Sequence, residues 1–127
     1  FLLTDSQIKE TIEPYYMARI THVENFLNAF PFNEAGEDLY FEIFDPIAEW
    51  NNGIFSLHWD ERGKIIIGHE KKGHKIKCNI QTLTCLGMNY RRPMYLNKIE
   101  RLEASPGAIN ILEKIFPDTE AYFSDYF

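Results

Sequence analysis

The sequence is poor in the residues that several kinds of chemistry need. Only two of its 127 residues are cysteine, Cys78 and Cys85. Neither has a partner at the Cys-x-x-Cys spacing of a metal site or redox pair. Both read as small core side chains, and a reduced, cytoplasmic setting is the default for such a chain. The seven glycines are scattered, so no phosphate-cradling loop is present. There is also no nucleophile elbow and no His-Glu-x-x-His pair. Basic residues number 13 against 19 acidic ones, a net charge of -6. Phosphate contacts need clustered Lys and Arg, and the only adjacent basic pairs are Arg91-Arg92 and Lys71-Lys72. No nucleic-acid partner is expected. No apolar run approaches the ~20 residues of a membrane span, and no basic start with an apolar middle marks a secretory signal. Position 1 is Phe and not Met, which we read as a piece excised from something longer.

What is present is a stretch of short segments rich in β-branched and aromatic residues. They cover 39–45, 54–59, 64–69 and 75–80, and each is bounded by turn residues. Asp60-Glu61-Arg62-Gly63 is a tight-turn signal, and Glu70 to His74 does similar work. Connections this short point to an antiparallel meander. Phe55, Leu57 and Trp59 alternate with Ser56 and His58, and Ile76, Cys78 and Ile80 with Lys75, Lys77 and Asn79. One face of the sheet is therefore buried. Tyr15 to Ile20 reads as a further strand of the same sheet.

Helical signals surround this stretch. Thr4 opens a short helix that Pro14 limits. Thr21 is an N-cap candidate for a helix with Val23, Phe26, Leu27 and Phe30 on its core face, ended by Pro31. A helix weakened by Gly87 follows the meander. Pro93 opens another, with Tyr95, Leu96 and Ile99 on its inner face. Ser105 and Pro106 open the last, with Ile109, Leu112, Ile115 and Phe116 inward and Pro117 as its stop. Trp50, beside the Asn52-Gly53 turn, is expected to pack on the sheet rim. Fold class is α+β: a mostly antiparallel five-stranded sheet covered by helices.

The chemistry-bearing residues form no self-contained active site. His58, His69 and His74 lie near one hairpin, but no third ligand at a sensible spacing supports a metal; none is expected. Glu42 reads as half buried, and Asp45 as the cap of a turn. The tail, 118–127, carries Tyr122, Phe123, Tyr126 and Phe127, too aromatic for a frayed solvated end.

Four stretches together carry a resemblance. They are Met17-Ala18-Arg19-Ile20-Thr21-His22-Val23-Glu24-Asn25-Phe26-Leu27; Asp45-Pro46 with Trp50-Asn51-Asn52-Gly53-Ile54-Phe55; Ile80-Gln81-Thr82-Leu83 with Gly87 to Tyr90; and the terminal Tyr122-Phe123-Ser124-Asp125-Tyr126-Phe127. In this order the chain resembles the C-terminal domain of the Eis-like (enhanced intracellular survival) branch of the GNAT acetyltransferases, which is similar to sterol carrier protein 2. The resemblance implies that residues 1–14 are a linker or helix from a preceding domain and 15–127 the sterol-carrier-like domain. It implies N-terminal GNAT domains in the same chain, which would bind acetyl-CoA, and an amine-bearing substrate such as an aminoglycoside or lysine. It implies a homo-oligomer, and inactivity of this fragment alone. The α-carboxylate of Phe127 would be the general base, with Tyr122, Phe123 and Tyr126 anchoring the tail. A lipid or sterol carrier is the alternative that the same fold suggests.

Overall fold

The computed structural model describes residues 12–13, 19–33 and 36–118. Its centre is a five-stranded sheet in the order β5-β4-β3-β6-β7. The strands are β3 (Leu39–Phe44), β4 (Gly53–Trp59), β5 (Ile65–Gly68), β6 (His74–Asn79) and β7 (Leu102–Ala104). β3, β4 and β5 form the antiparallel meander that their turns require. β6 departs from it. Instead of pairing with β5, it lies beside β3 and runs parallel to it, with Leu39 opposite His74 and Ile43 opposite Cys78. The sheet is therefore mixed.

A short connection makes this possible. Residues 69–73 carry the chain across β4 and β3, three strand spacings or roughly 14 Å, well within the reach of a short extended segment. Glu70 and Lys72 of the connection lie with Ser56 and His58, on the sheet face away from the core. Glu70 N–H donates to Ser56 Oγ at 3.3 Å, and His74 N–H donates to the Asp38 carbonyl at 3.0 Å. Gly73 has φ +88°, and a Cβ there would overlap the Asp38 carbonyl, so only glycine fits. The strap also covers Ser56, which alternation places on the wet face but which is buried.

The fifth strand is not the one that the sequence suggests. β1 (Ile12–Glu13) and β2 (Arg19–Ile20) form a separate two-stranded antiparallel pair. β7 completes the main sheet against β6 instead. The helix that opens at Thr4 and residues 14–18 fall outside the described residues.

Among the described residues, four α-helices follow the sequence signals: α1 (Val23–Ala29), α2 (Ile80–Gly87), α3 (Pro93–Lys98) and α4 (Pro106–Ile115). Their caps differ in detail. His22, not Thr21, is the N-cap of α1. Asn79 caps α2, accepting the Thr82 N–H at 2.8 Å, so this helix starts directly at the end of β6. Ser105 caps α4 as expected, with Pro106 in the first turn. In α3, Pro93 and Leu96 face inward, whereas Tyr95 and Ile99 are exposed, correcting their expected placement.

The core is continuous. Leu39, Phe41, Phe55, Leu57 and Ile76 from the sheet meet Phe26, Leu27, Leu83, Leu112 and Phe116 from the helical side. Aromatic rings join α1 to the end of α4: Phe30 lies 5.3 Å from Phe26 and 5.2 Å from Phe116, and Phe32 lies 5.4 Å from Phe116. Each ring adds its large apolar area to this layer.

Candidate functional site

Three polar clusters are built on this frame. The most buried centres on Asp45, at the end of β3. Its Oδ1 accepts the N–H groups of Ile47 and Ala48 at 2.9 and 3.1 Å, the turn-capping role expected of an Asp before Pro46. Its Oδ2 accepts from Asn51 Nδ2 at 2.9 Å and from Arg19. Burial opposes the charge on Asp45. The Asn51 amide, the two backbone N–H groups and Arg19 outweigh it and hold the carboxyl below its ordinary value. Asn52 clamps the Asp45 backbone on both sides, accepting its N–H at 2.9 Å and donating to its carbonyl at 2.7 Å. With every acceptor used, this carboxylate is a structural node and no proton-transfer group.

The second cluster lies where the strap crosses the sheet. His58 Nδ1 is 2.7 Å from Asp38 Oδ1, and Lys72 Nζ is 3.4 Å from Asp38 Oδ2. The His58 hydrogen bond, followed against partial burial by the His58 and Lys72 charges, lowers the Asp38 pKa. A shallow cavity of about 170 Å³ opens here, lined by Ser56, His58, Ile66 and Glu70 among others. The other two histidines near this hairpin also face carboxylates, His69 Nε2 with Glu24 at 3.1 Å and His74 Nε2 with Glu37 at 3.5 Å. Each pair joins separate parts of the chain, so sequence alternation alone did not reveal it. Among the described residues, no group of three His, Cys, Asp or Glu side chains is placed to hold a metal ion.

The third cluster sits at the end of α4. Arg92 Nη2 donates to Glu113 Oε1 at 2.9 Å and to the carbonyls of Glu113 and Phe116 at 3.0 and 3.2 Å. Its Nη1 donates to the Pro117 carbonyl at 3.2 Å and to Asn89 Oδ1 at 3.1 Å. A planar guanidinium suits such a fan of acceptors. It satisfies carbonyls that a helix end leaves open and fixes the chain as far as Asp118. The predicted site residues Tyr122, Phe123, Tyr126 and Phe127 lie outside the described residues. Arg92, half of an adjacent basic pair in the sequence, organises the chain up to Pro117.

Glu42 is half-buried and faces Lys75 at 3.4 Å. Cys78 is buried, and burial pushes its thiol up to about 12; burial also raises half-buried Cys85, against Arg91 and Arg101. Both are unpaired thiols of the packed interior, not redox partners. Trp50 does not pack on the sheet rim. It is 60% exposed, with its indole N–H on the Thr21 carbonyl at 2.8 Å and its ring stacked on His22. No helix among the described residues is long and apolar enough to cross a membrane.

The sterol carrier protein domain family matches residues 23–124. The chain belongs to that family. Its strand order and its helices over one sheet face are thus the architecture of a sterol carrier protein domain. Among solved structures, this domain is similar to a conserved protein of unknown function and probable N-acyltransferase from Enterococcus faecalis V583. The TM-score is 0.72 at 31% identity, covering 82% of this chain and 26% of that one. A GCN5-related N-acetyltransferase from Anabaena variabilis ATCC 29413 gives a TM-score of 0.72 at 25% identity, with the same coverage of 82% and 26%. Eis1 from Mycobacterium abscessus shares the fold, at TM-score 0.67 and 21% identity, covering 82% of this chain and 25% of that one. The sterol carrier protein domain thus spans about a quarter of each of these longer chains. No curated protein matches.

Proposed function

We propose that this domain is the C-terminal part of an acetyl-CoA-dependent N-acetyltransferase of the Eis-like kind, and that it contributes the α-carboxylate of Phe127 as general base. The observation that carries the reading is the 31% identity to a probable N-acyltransferase over 82% of this chain, which spans 26% of that protein. In this reading acetyl-CoA binds to GNAT domains elsewhere in the polypeptide, and the acceptor is an amine. An ammonium must lose its proton before its nitrogen attacks a thioester, so a positioned base accelerates the step. A free α-carboxyl titrates near ~3.5, and burial among Tyr122, Phe123 and Tyr126 would raise it toward a useful value. The Arg92 clamp supports the reading by giving the segment after Pro117 a defined point of departure.

The test is to add one residue after Phe127 in the full-length enzyme. Turnover should fall by about 100-fold or more, with acetyl-CoA affinity nearly unchanged, because the extension displaces the carboxylate and leaves the cofactor site alone. Normal turnover in the extended enzyme rejects the role. The family description, a sterol carrier protein domain, favours a second reading, a lipid carrier. Among the described residues, open cavities lie at the crossing, at the 60–64 turn and beside Arg92 and Tyr95, while the buried side chains of sheet and helices form one continuous cluster.

A further inference from the structure

The outer face of α3 combines exposed apolar side chains with cations that face no carboxylate. Met94, Tyr95 and Ile99 are 62%, 46% and 44% exposed. Ile99 follows Tyr95 by one turn, its N–H on the Tyr95 carbonyl at 3.1 Å. Lys98 follows Met94 in the same way, so the four form two adjacent rows on one side of the helix. Arg91 extends this surface, its guanidinium 5.6 Å from the Tyr95 ring centroid. Met94, Tyr95 and Lys98 also line one open cavity of about 410 Å³. Residues 90–101 hold four of the 13 basic side chains and one of the 19 acidic ones, a basic segment on an acidic protein. Elsewhere Arg19, Lys72, Lys75 and Lys77 each face a carboxylate. Glu113 and Asp118, the carboxylates lining the cavity, face Arg92 at 2.9 and 3.9 Å. Among the described residues, none lies within ion-pair distance of Arg91, Lys98 or Arg101.

We propose that this face of α3 adsorbs to an anionic phospholipid surface. The mixture of side chains selects the occupant. Lysine and other charged residues are depleted from the core of protein interfaces, because a cation buried without a partner is costly. A protein docked over Met94, Tyr95 and Ile99 would bury Arg91 and Lys98 among them. A lipid headgroup layer accepts the same set in place. Met and Ile enter the acyl boundary, and the Tyr ring sits at headgroup level. Lys and Arg lay their apolar stems along the surface and keep their charges among the phosphates. Each cation near an anionic leaflet adds to the attraction. The acidic remainder of the protein does not cancel it, since charges beyond a Debye length of ~8 Å are screened. Adsorption uses the outside of a helix and leaves the continuous core intact, so it differs from carrying a lipid.

The test is sedimentation of the full-length polypeptide with phospholipid vesicles at ~0.15 M salt. The protein should pellet with vesicles of phosphatidylcholine containing about 30% phosphatidylserine and stay in solution with phosphatidylcholine alone. Lys98→Glu with Arg101→Glu should weaken the partition at least about tenfold. Arg62→Glu with Lys64→Glu makes the same change in net charge, in the turn before β5. That strand lies at the opposite edge of the sheet from β7, on which α3 packs, so the loss should stay below about threefold. Met94→Ser with Tyr95→Ser should weaken the partition about tenfold at unchanged charge. All six side chains are exposed, and the variants should melt with the parent. Absence of pelleting with the phosphatidylserine vesicles overturns the proposal. Equal losses in the two charge variants, or full binding by the Ser variant, do the same. Met94→Cys in the full-length polypeptide should label with a maleimide as fast as Glu61→Cys until these vesicles are added. Slow labelling without vesicles assigns the face to a protein segment or a second copy, and overturns the proposal.

Discussion

Asp45 binds together a guanidinium from β2, a side-chain amide and two backbone N–H groups. Removing one partner of such a buried pair leaves the others uncompensated. Asp45→Ala should therefore cost about 3 kcal/mol or more, read as a shift in the urea midpoint at unchanged slope. The same contacts fix a pH dependence. Because the folded-state pKa of Asp45 is lowered, its contribution is complete above the unfolded value of ~3.9. It is lost as pH falls through the lower folded value. Between about pH 5 and pH 2 the melting temperature of Asp45→Asn should fall less steeply than that of the unsubstituted protein. An identical acid limb in the two proteins would falsify this assignment. The turn-capping role of Asp45 was legible from Asp-Pro. Its bond to Arg19 was not, because those residues are 26 positions apart and no local pattern links them.

At the scale of elements, the strap of residues 69–73 decides the topology. A glycine in a turn reads the same whether the chain reverses or crosses. Gly73 instead meets the Asp38 backbone so closely that no Cβ fits. Gly73→Ala combines a strained positive φ, itself of order 1–3 kcal/mol, with displacement of the strap from the sheet. It should destabilise the domain by about 3 kcal/mol and increase hydrogen exchange at the His74 amide, which bonds the Asp38 carbonyl. Wild-type protection at that amide in Gly73→Ala would show that the strap tolerates the side chain. The amphipathic helices, by contrast, were legible. Val23, Phe26 and Leu27 in α1, and Ile109, Leu112 and Ile115 in α4, are buried at the helical spacing that marks them. The exposed side of α3 was misjudged because apolar spacing does not say whether a neighbour exists. Tyr95 instead lies under the Arg91 guanidinium, 5.6 Å from its ring centroid.

For the whole molecule, the packing of the interior bears on the carrier reading. Phe26, Phe41 and Phe116 are among the largest fully buried side chains, and they belong to one continuous cluster with the aliphatic residues of sheet and helices. Close-packed interiors of this kind leave little room for a second guest. The purified 127-residue chain should release no stoichiometric lipid on organic extraction, as measured by mass spectrometry. One equivalent of bound lipid would restore the carrier as the leading function. Membership in a sterol carrier protein family describes a fold, and a fold alone does not assign a ligand.

The amino-acid order by itself determined β3 to β6, the positions of the four helices and the buried side of α1 and α4, because these follow from local periodicity and from Pro, Gly and capping residues. It also carried the family, through motifs that remain recognisable in order along the chain. Only the tertiary structure decided that β6 crosses to β3, that β7 supplies the fifth strand and that Arg92 grips the end of α4. It alone paired Asp45 with Arg19 and left Phe44 at the end of β3, with Ile47 and Trp50 in the loop that follows, exposed. The physical reason is common to all of these. Strand order, buried ion pairs and free surface depend on which distant residues meet, and local spacing constrains each segment without specifying its neighbour.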